Sequence, residues 1–455
     1  MESIQHNLRT ATVTSDRDLS ELESPNRARR PWWRWALPWL SRGPQIAPRQ
    51  SRLLSVLGAA NLVDNFDIAI LGLALPQIQL SLGLADDRLG ALSAGIRLGV
   101  IPAVILSALA DGVGRRILLL LTILGFTVFT ALTSLAQTPA QFMLLQFFAR
   151  VFIATEAILA IVVIAEEFDP RARGWGIGVI GAMGALGHAM ASLVFALVNI
   201  LPFGWRAMYL MGVAPLLLLA WFRRSLAETQ RFEVHRRSRG HAYGWREALR
   251  PFRNLVRMYP GRMLAMGCSL FPVAFLFDTS GLFASKTLQQ VHHYSPAQVT
   301  LLYLTAGVAA PIGNIVAGVL GDRYGRKRIM VGGLILHAGA VATFYNAGGV
   351  WVPLAWSLMV FSMMLVNVLF SALGAELFPT SYRSTASGVR AVVATLGAAL
   401  GLLVEGMLFS RFGSHAAAIT AMLMVTPLAP VLVALFLPET ARRELEEISP
   451  EREGP

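Results

Sequence analysis

Six ionisable residues lie inside long apolar runs of the sequence, where a charge is costly. The six are Asp64, Asp67, Arg97, Glu156, Asp278 and Arg390. Insertion scales put the cost of one charged side chain at the centre of a bilayer at about 2.5–3.5 kcal/mol. A buried carboxylate can take up and release a proton, and a guanidinium group can grip a carboxylate through two hydrogen bonds. We therefore predict that these residues form a pathway for protons and an anionic substrate.

Asp64 and Asp67 are the first candidates for proton binding. They are three positions apart near the middle of their run, so a helix would place them on one face. The alternative is that they pair with an arginine inside the protein and stabilise it. Arg390 and two further charges, Arg150 and Glu405, lie closer to the ends of their runs, where long side chains can reach the membrane interface.

Charged residues also recur at a fixed distance along the chain. Asp111 and Arg115 are followed 211 positions later by Asp322 and Arg326 at the same spacing. Further pairs at an offset of 210 or 211 are Phe66-Asp67 with Phe277-Asp278, Glu166 with Glu376 and Arg173 with Arg383. So many pairs at one offset predict an internal duplication of about 210 residues.

The recurring charges that flank the apolar runs predict a gate. Its members are Asp111, Arg115, Glu166 and Arg173 in the first half and Asp322, Arg326, Glu376 and Arg383 in the second. Each aspartate should lie at a helix end, accept from the first N–H groups of a neighbouring helix and meet the arginine four positions later. Each glutamate should meet the arginine seven positions later. Such clusters hold helix ends together in one conformation and separate in another, whereas the alternative is a set of solvated charges that only sets topology.

The composition is that of a membrane protein. Of the 455 residues, 55% are hydrophobic and only 15% are charged, against about a quarter charged in soluble domains. The net charge of +12 comes from basic residues in the N-terminal tail, in the loops after Ala110 and Gly321, and in residues 223–262. The alternate loops are almost uncharged. Because lysine and arginine mark cytoplasmic loops, this distribution predicts the topology and argues against a nucleic-acid partner.

Twelve apolar runs are long enough to cross a bilayer as helices of about 20 residues. They predict an all-α protein with two pseudo-symmetric six-helix bundles and both termini in the cytoplasm. The predicted divisions are a largely disordered tail with a Trp-rich interfacial segment at 1–51, a first bundle at 52–222, a cytoplasmic linker at 223–261, a second bundle at 262–437 and a cytoplasmic tail at 438–455.

The loop signature in the second half reads Gly318-Val-Leu-Gly-Asp322-Arg-Tyr-Gly-Arg-Lys, and the first half carries a version with Ser107 in place of glycine. Two six-helix halves with this signature resemble the major facilitator superfamily from Arg52 to Glu447. Three further segments resemble its metabolite–proton symporter and sugar-porter branch: Glu167-Phe-Asp-Pro170, Glu376-Leu-Phe-Pro379 and Pro438-Glu439-Thr440.

This resemblance implies a transporter, not an enzyme, in which the bundles alternate access to a central site. Glu156 resembles a glutamate that metabolite–proton symporters carry in their fourth helix. The Gln-Gln motif that sugar porters carry inside the seventh helix is not matched, because Gln289-Gln290 is predicted to follow that helix. A sugar substrate is therefore disfavoured.

The leading functional prediction is proton-coupled uptake of a small organic carboxylate across the cell (inner or plasma) membrane by a monomer. The energy source would be the proton gradient, with no cofactor and no metal site. The first alternative is proton-driven export of a hydrophobic or cationic compound, for which the acidic residues would bind the cation. The second alternative is a membrane-embedded sensor, which is disfavoured because the tail and linker are too short for a signalling domain.

Overall fold

The computed structural model describes residue 44, residues 46–223, 250–379 and 382–441, residue 443 and residues 448–449. Nearly all of the predicted N-terminal tail, with its Trp-rich segment, lies outside these residues. So do most of the predicted linker and most of the predicted C-terminal tail. Within a described helix, the side chain of Asp111 is also outside the description.

Twelve helical segments among the described residues are long and apolar enough to cross a membrane, which confirms the predicted number. They are α1 Pro48–Leu73, α2 Asp86–Ala108, α3 Arg115–Thr133, α4 Pro139–Glu167, α5 Pro170–Phe195, α6 Trp205–Arg223, α7 Pro260–Gln290, α8 Pro296–Tyr324, α9 Arg326–Asn346, α10 Trp351–Glu376, α11 Arg383–Phe412 and α12 His415–Phe436. Helices α1–α6 form the N-terminal bundle and α7–α12 the C-terminal bundle.

Two of the spans are interrupted. Helix α2 is divided into Asp86–Arg97 and Val100–Ala108. Helix α12 contains a 3₁₀ turn at Leu423–Val425. A short helix, Leu75–Leu82, extends α1 and ends at Gly83.

Local sequence explains where several helices begin. Helix α4 starts at a capping box in which the Thr138 hydroxyl accepts from the Gln141 amide, and Pro139 occupies the first helical position. Helix α8 starts in the same way at Ser295, with Gln298 as the partner. These caps satisfy backbone N–H groups that a helix start leaves unpaired.

The internal duplication is visible in the tight turns that precede α3 and α9. Gly114 and Gly325, 211 positions apart, have φ angles of 107° and 103°. Residues with a side chain rarely adopt this backbone conformation, so both turns require glycine. The turns lie on the face of the molecule where α1 begins, which we call the terminal face. The other side, where α1 ends at Leu73, is the opposite face.

The two bundles pack together near the opposite face. One large apolar cluster there combines residues of both bundles, including Ile70, Leu89, Phe283 and Leu402. Nearer the terminal face each bundle has its own cluster, represented by Phe168 in the N-terminal bundle and Leu373 in the C-terminal bundle. The molecule is therefore joined at the opposite face, and its bundles have separate cores toward the terminal face.

The bundles approach each other closely at Gly90 of α2. A Cβ atom added to Gly90 would lie 2.0 Å from the Leu402 carbonyl oxygen on α11. Nearby, the Thr300 hydroxyl on α8 donates to the Ser192 carbonyl on α5 at 2.6 Å. Such close contacts require glycine or another small residue at the crossing, as is general for closely packed helices in membranes.

We expect the Gly90→Val variant to open the opposite face. The valine side chain cannot fit against Leu402, and overpacking costs about 1–3 kcal/mol, so the ratio of closed to open molecules should fall about 5- to 160-fold. The measurement is the alkylation rate of a cysteine placed at Ser285, which is buried at this face, in a Cys268→Ser background. Gly307→Val is the matched control because nothing lies within 4 Å of its Cβ. Equal labelling rates in both variants would contradict the expectation.

Candidate functional site

The centre of the molecule contains an ion pair between the bundles. Arg97 on α2 contacts the Asp278 carboxylate on α7, and each side chain remains 29% exposed. Both residues are near the middle of their spanning helices. This contact therefore joins two oppositely charged groups, both within reach of solvent, at the depth where a central substrate site would lie.

Arg150 on α4 lies beside this pair. A Cβ atom added to Gly99 of α2 would lie 3.1 Å from the Arg150 Cβ, so the helices are in close contact here. The Arg150 Nε is buried and has no hydrogen-bond partner among the described residues. The predicted position near a membrane edge is wrong for Arg150, because the residue is near the middle of α4. It adds a second guanidinium group to the centre.

The two aspartates of α1 face the interior of the N-terminal bundle. Asp67 is 3% exposed, and one of its carboxylate oxygens accepts from the Thr130 hydroxyl on α3 at 3.1 Å. Asp64 is 2% exposed, and neither carboxylate oxygen has a hydrogen-bond partner among the described residues. Burying a charge without a partner is costly, so an unpartnered carboxyl group suits reversible protonation.

Glu156 on α4 is held in a buried ion pair. Its carboxylate contacts the Arg223 guanidinium at the end of α6, and the two side chains are 2% and 1% exposed. The Thr122 hydroxyl donates to the same carboxylate at 3.3 Å, and Arg223 also donates to the Leu119 carbonyl at 2.9 Å. Arg223 was not among the predicted site residues, because it was counted as the first residue of the linker. The structure includes it in α6.

Arg390 on α11 lies at the mouth of a pocket in the C-terminal bundle. The pocket is small and is lined mainly by apolar side chains, among them Met263, Leu270 and Val393. One guanidinium nitrogen of Arg390 donates to the Ser371 hydroxyl on α10 at 3.0 Å. The arrangement combines an apolar surface with a single cation.

At the terminal face, the predicted gate residues pair differently from the expectation. Glu166 accepts from Arg115 at 2.8 Å rather than from Arg173, which donates to the Phe168 carbonyl at 2.9 Å. In the second half, Glu376 contacts Arg326, and Arg383 donates to the Phe378 carbonyl at 3.4 Å. Asp322 lies 3.2 Å from Arg326, as its spacing predicted. Each of these ion pairs joins helices of one bundle.

A carboxylate outside the predicted gate caps α9. Glu439 accepts from the backbone N–H groups of Arg326 and Lys327 at 2.9 and 3.2 Å. These are the first amides of α9, where unpaired N–H groups and the helix dipole favour a negative charge. Glu439 therefore ties the segment after α12 to the loop signature.

A second cluster of charges joins the bundles at the opposite face. We call it the opposite-face network, and it consists of Gln79, Asp86, Lys286, Glu405 and His415. Lys286 contacts the Gln79 side chain and lies 2.6 Å from Asp86. His415 lies 3.2 Å from Asp86 and 2.6 Å from Glu405. Glu405 lies near the end of α11, as expected, but its side chain is fully buried between helices and does not reach the membrane interface.

One member of this network, Lys286, could have been identified from the sequence. Gln289-Gln290 was predicted to follow the seventh helix, but α7 continues to Gln290 and includes Lys286 and both glutamines. The position of these glutamines therefore does not argue against a sugar substrate. Gln289 accepts from Gln77 of the N-terminal bundle at 2.7 Å. Lys286 is thus one more charge inside an apolar span, the feature that identified Arg97.

The family follows from a comparison over most of the chain. The model of the Major Facilitator Superfamily matches residues 57–287 and again residues 266–454. This chain belongs to the major facilitator superfamily. It is a multi-pass membrane transporter with the major facilitator fold, and it is not an enzyme.

One relative within the superfamily, the putative niacin/nicotinamide transporter NiaP of Bacillus subtilis, is 25% identical over 410 residues, covering 89% of this chain and 100% of that protein. Two further relatives come from Acinetobacter baylyi. The cis,cis-muconate transport protein is 25% identical over 401 residues, covering 84% of this chain and 92% of that protein. The benzoate transport protein is 22% identical over 397 residues, covering 80% and 85%. Among solved structures, the xylose transporter XylE from E. coli has a TM-score of 0.69 at 18% identity, covering 87% of this chain and 98% of XylE.

Proposed function

We propose that this protein imports a small organic carboxylate together with protons, and that the carboxylate binds at Arg97. The observation that carries the proposal is the solvent-accessible ion pair between Arg97 and Asp278 across the two bundles. Arg97 is a guanidinium group already bound to one carboxylate at the centre of the molecule. A substrate carboxylate offers the same two oxygens in the same geometry.

An exchange at this pair would couple anion and proton. For a substrate anion to bind Arg97, Asp278 has to leave it, and an ionised carboxylate freed in a partly desolvated gap is unfavourable. Protonation of Asp278 removes that charge. One anion and one proton then replace one internal ion pair, so the net charge of the centre does not change.

Asp67 and Asp64 are the proposed carriers that bring the proton to the centre. Both are buried in α1, and the electrostatic field at Asp67 includes the charge of Arg150. Arg150 is in turn within the field of Arg97 and Asp278. A change in the charge of the central pair is therefore felt at Asp67 through Arg150, a route by which anion binding and protonation influence each other.

The substrate class is supported by two features. The relatives from Acinetobacter baylyi are named for benzoate and cis,cis-muconate, which are carboxylates with flat hydrocarbon parts. The pocket beside Arg390, toward the terminal-face ends of α7, α10 and α11, presents apolar side chains around one cation. A molecule with a carboxylate at one end and a hydrocarbon at the other would complement this surface on its way from Arg97 to the terminal face. Glu156 was predicted to belong to the pathway, and its buried pairing with Arg223 favours a structural role in this proposal.

We further propose that the terminal face is cytoplasmic and that the protein works as a monomer in the inner (plasma) membrane. The basic turns before α3 and α9 lie on that face, in agreement with the preference of basic loops for the cytoplasm. Both termini would then be cytoplasmic. The predicted division into two tails, two bundles and a linker is kept in this proposal, with Arg223 moved from the linker to the first bundle. The terminal-face ion pairs around Arg115 and Arg326 would hold the helix ends of each bundle together on either side of the cytoplasmic opening.

The decisive experiment uses purified protein in proteoliposomes with an inward proton gradient. We expect accumulation of labelled benzoate or cis,cis-muconate, but not of xylose or an organic cation. Asp67→Asn should abolish the accumulation, because an amide cannot carry the proton. Asp87→Asn is the matched control, since Asp87 is an exposed carboxylate at the start of α2.

Two outcomes would overturn the proposal. Accumulation of cations under the opposite gradient would assign export instead. Unchanged accumulation of the acid in Asp67→Asn would remove this residue from the proton pathway.

A further inference from the structure

The opposite-face network brings together charges from both bundles at the only level where those bundles share one apolar core in the described part of the chain. Gln79 and Asp86 belong to the N-terminal bundle. Lys286, Glu405 and His415 belong to the C-terminal bundle. Opening this face must separate Asp86 from both Lys286 and His415, so the network is present only in the closed arrangement.

The contacts of His415 require a definite number of protons. Its Nδ1 lies 2.6 Å from a Glu405 oxygen and its Nε2 lies 3.2 Å from an Asp86 oxygen. Each contact is a hydrogen bond only if a proton lies between the two atoms, so two protons are needed. A neutral imidazole supplies one, and two ionised carboxylates supply none. The closed network therefore holds one proton more than its three separated groups.

The charges and aromatic rings around His415 also favour the additional proton. With the additional proton the network comprises two carboxylates, one imidazolium and the Lys286 ammonium, which sum to zero charge. Without it, an uncompensated negative charge would remain beside Glu405, whose side chain is fully buried, and such a charge is expensive. The rings of Phe283 and Phe409 lie 4.5 and 4.3 Å from the His415 ring, and aromatic faces favour a cation between them.

The helices packed around His415 bring few other titratable groups. Lys286 comes from α7, Asp86 from α2 and Glu405 from α11, all within the network. Helix α9 contributes Tyr345, whose hydroxyl donates to the Ser280 carbonyl at 2.5 Å and is thus occupied. The proton count is therefore decided by His415 and its two carboxylates.

We propose that the opposite-face network is a proton-binding gate, which takes up one proton when this face closes and releases it when the face opens. The site lies between His415, Glu405 and Asp86. Its role in transport rests on the proposed function. A proton bound from outside would favour closure of the outer face, the step that precedes release of the substrate on the inner side.

The proposal predicts a pH dependence with a defined sign. Because closure binds a proton, a lower pH favours the closed state. If one proton is taken up, the ratio of closed to open molecules rises tenfold for each pH unit by which the pH falls, within the range where the site titrates. Histidine and carboxylate groups place that range within about pH 4–8.

Two variants should change the pH profile in different ways. Glu405→Gln provides an uncharged side chain that can donate to the His415 Nδ1 without an added proton, so the face should stay closed at every pH. His415→Gln leaves Glu405 to carry the proton by itself, so closure should need a lower pH. Asp87→Asn is the control, because this exposed carboxylate lies beside the network and makes no contact with His415 among the described side-chain hydrogen bonds.

The experiment measures a distance across the opposite face without substrate. Spin labels at Ile200→Cys and Val350→Cys, which are both 77% exposed, report the separation of the bundles in a Cys268→Ser background in lipid nanodiscs. The short-distance population should fall as pH rises in the parent and in Asp87→Asn. It should stay constant in Glu405→Gln and fall at lower pH in His415→Gln.

A pH-independent distance in the parent, or a Glu405→Gln profile equal to that of the parent, would overturn the inference. The gate and the proposed function can fail separately. A titrating distance in a protein that accumulates no acid would contradict only the transport function. Acid uptake together with a pH-independent distance would contradict only the gate.

Discussion

Replacing Arg97 with glutamine is expected to weaken organic-anion binding more than any other single change at the centre. The variant removes the charged partner of the proposed substrate carboxylate and leaves Asp278 without its cation. Hydrogen bonds to charged groups contribute about 1.5–3 kcal/mol, so substrate affinity should fall about 10- to 150-fold. The measurement is the substrate dissociation constant in detergent, with uptake in proteoliposomes beside it.

Asp278→Asn is the informative partner of that variant. An amide at this position cannot hold Arg97 as an ion pair, so the guanidinium group becomes available to the anion at every pH. Anion binding should survive and lose its pH dependence, while accumulation driven by a proton gradient should disappear. Arg97→Lys tests the geometry, because lysine keeps the charge without the two-pronged fork. Full anion affinity in Arg97→Gln would refute the assignment of the substrate site.

Replacing Glu156 with glutamine is expected to destabilise the protein rather than change its selectivity. The variant leaves the Arg223 guanidinium, which is 1% exposed, without its counter-charge. Removing one member of a buried ion pair costs about 3–5 kcal/mol because the remaining charge stays buried. The expected result is a loss of this size in the free energy of unfolding, measured by denaturant titration in detergent.

The control is the double variant Glu156→Gln with Arg223→Met. Removing both charges should recover much of the lost stability, since well-packed uncharged residues often replace a buried ion pair at little cost. If Glu156→Gln instead keeps full stability and loses proton-driven uptake, the original prediction of a transport role for Glu156 is correct. The structural role and the transport role of Glu156 therefore predict different free energies of unfolding for Glu156→Gln.

The central pair and the opposite-face network are carried by the same two helices. Asp86 and Arg97 are eleven positions apart on α2, and Asp278 and Lys286 are eight positions apart on α7. At 1.5 Å per residue the two ion pairs are separated by about 12–16 Å along the helices. Separating α2 from α7 at the opposite face thus strains the central pair, a direct physical connection between gate and substrate site.

Much of the architecture could be predicted from the sequence alone. Twelve apolar runs are each about as long as a bilayer is thick, so their number follows from length and polarity without knowledge of packing. The duplication follows from spacing, and its two turn glycines, Gly114 and Gly325, share one unusual backbone conformation. The family was reached from the same motifs. These properties depend on the lengths of runs, the spacing of repeats and the order of residues in motifs, all of which can be read from the sequence without knowing which helices pack together.

The partners of the charges depended on tertiary structure. Phe66-Asp67 and Phe277-Asp278 are equivalent in the repeat, yet Asp67 is 3% exposed and bonded to Thr130, whereas Asp278 is 29% exposed and paired with Arg97. Glu166 pairs with Arg115 and not with the arginine seven positions later. Spacing determines the face and depth of a residue on its own helix. The rotation and crossing of neighbouring helices determine which side chain stands opposite.

The opposite-face network is the clearest case of this limit. Asp86 and Lys286 are 200 positions apart, and His415 meets Asp86 across a separation of 329. Periodicity along one segment carries no information about so distant a partner. The sequence by itself determined the number of spans, the repeat and the unusual charges within the membrane. Only the packing of two bundles decided that these charges form one pair at the centre and a second, proton-holding cluster at the face where the bundles meet.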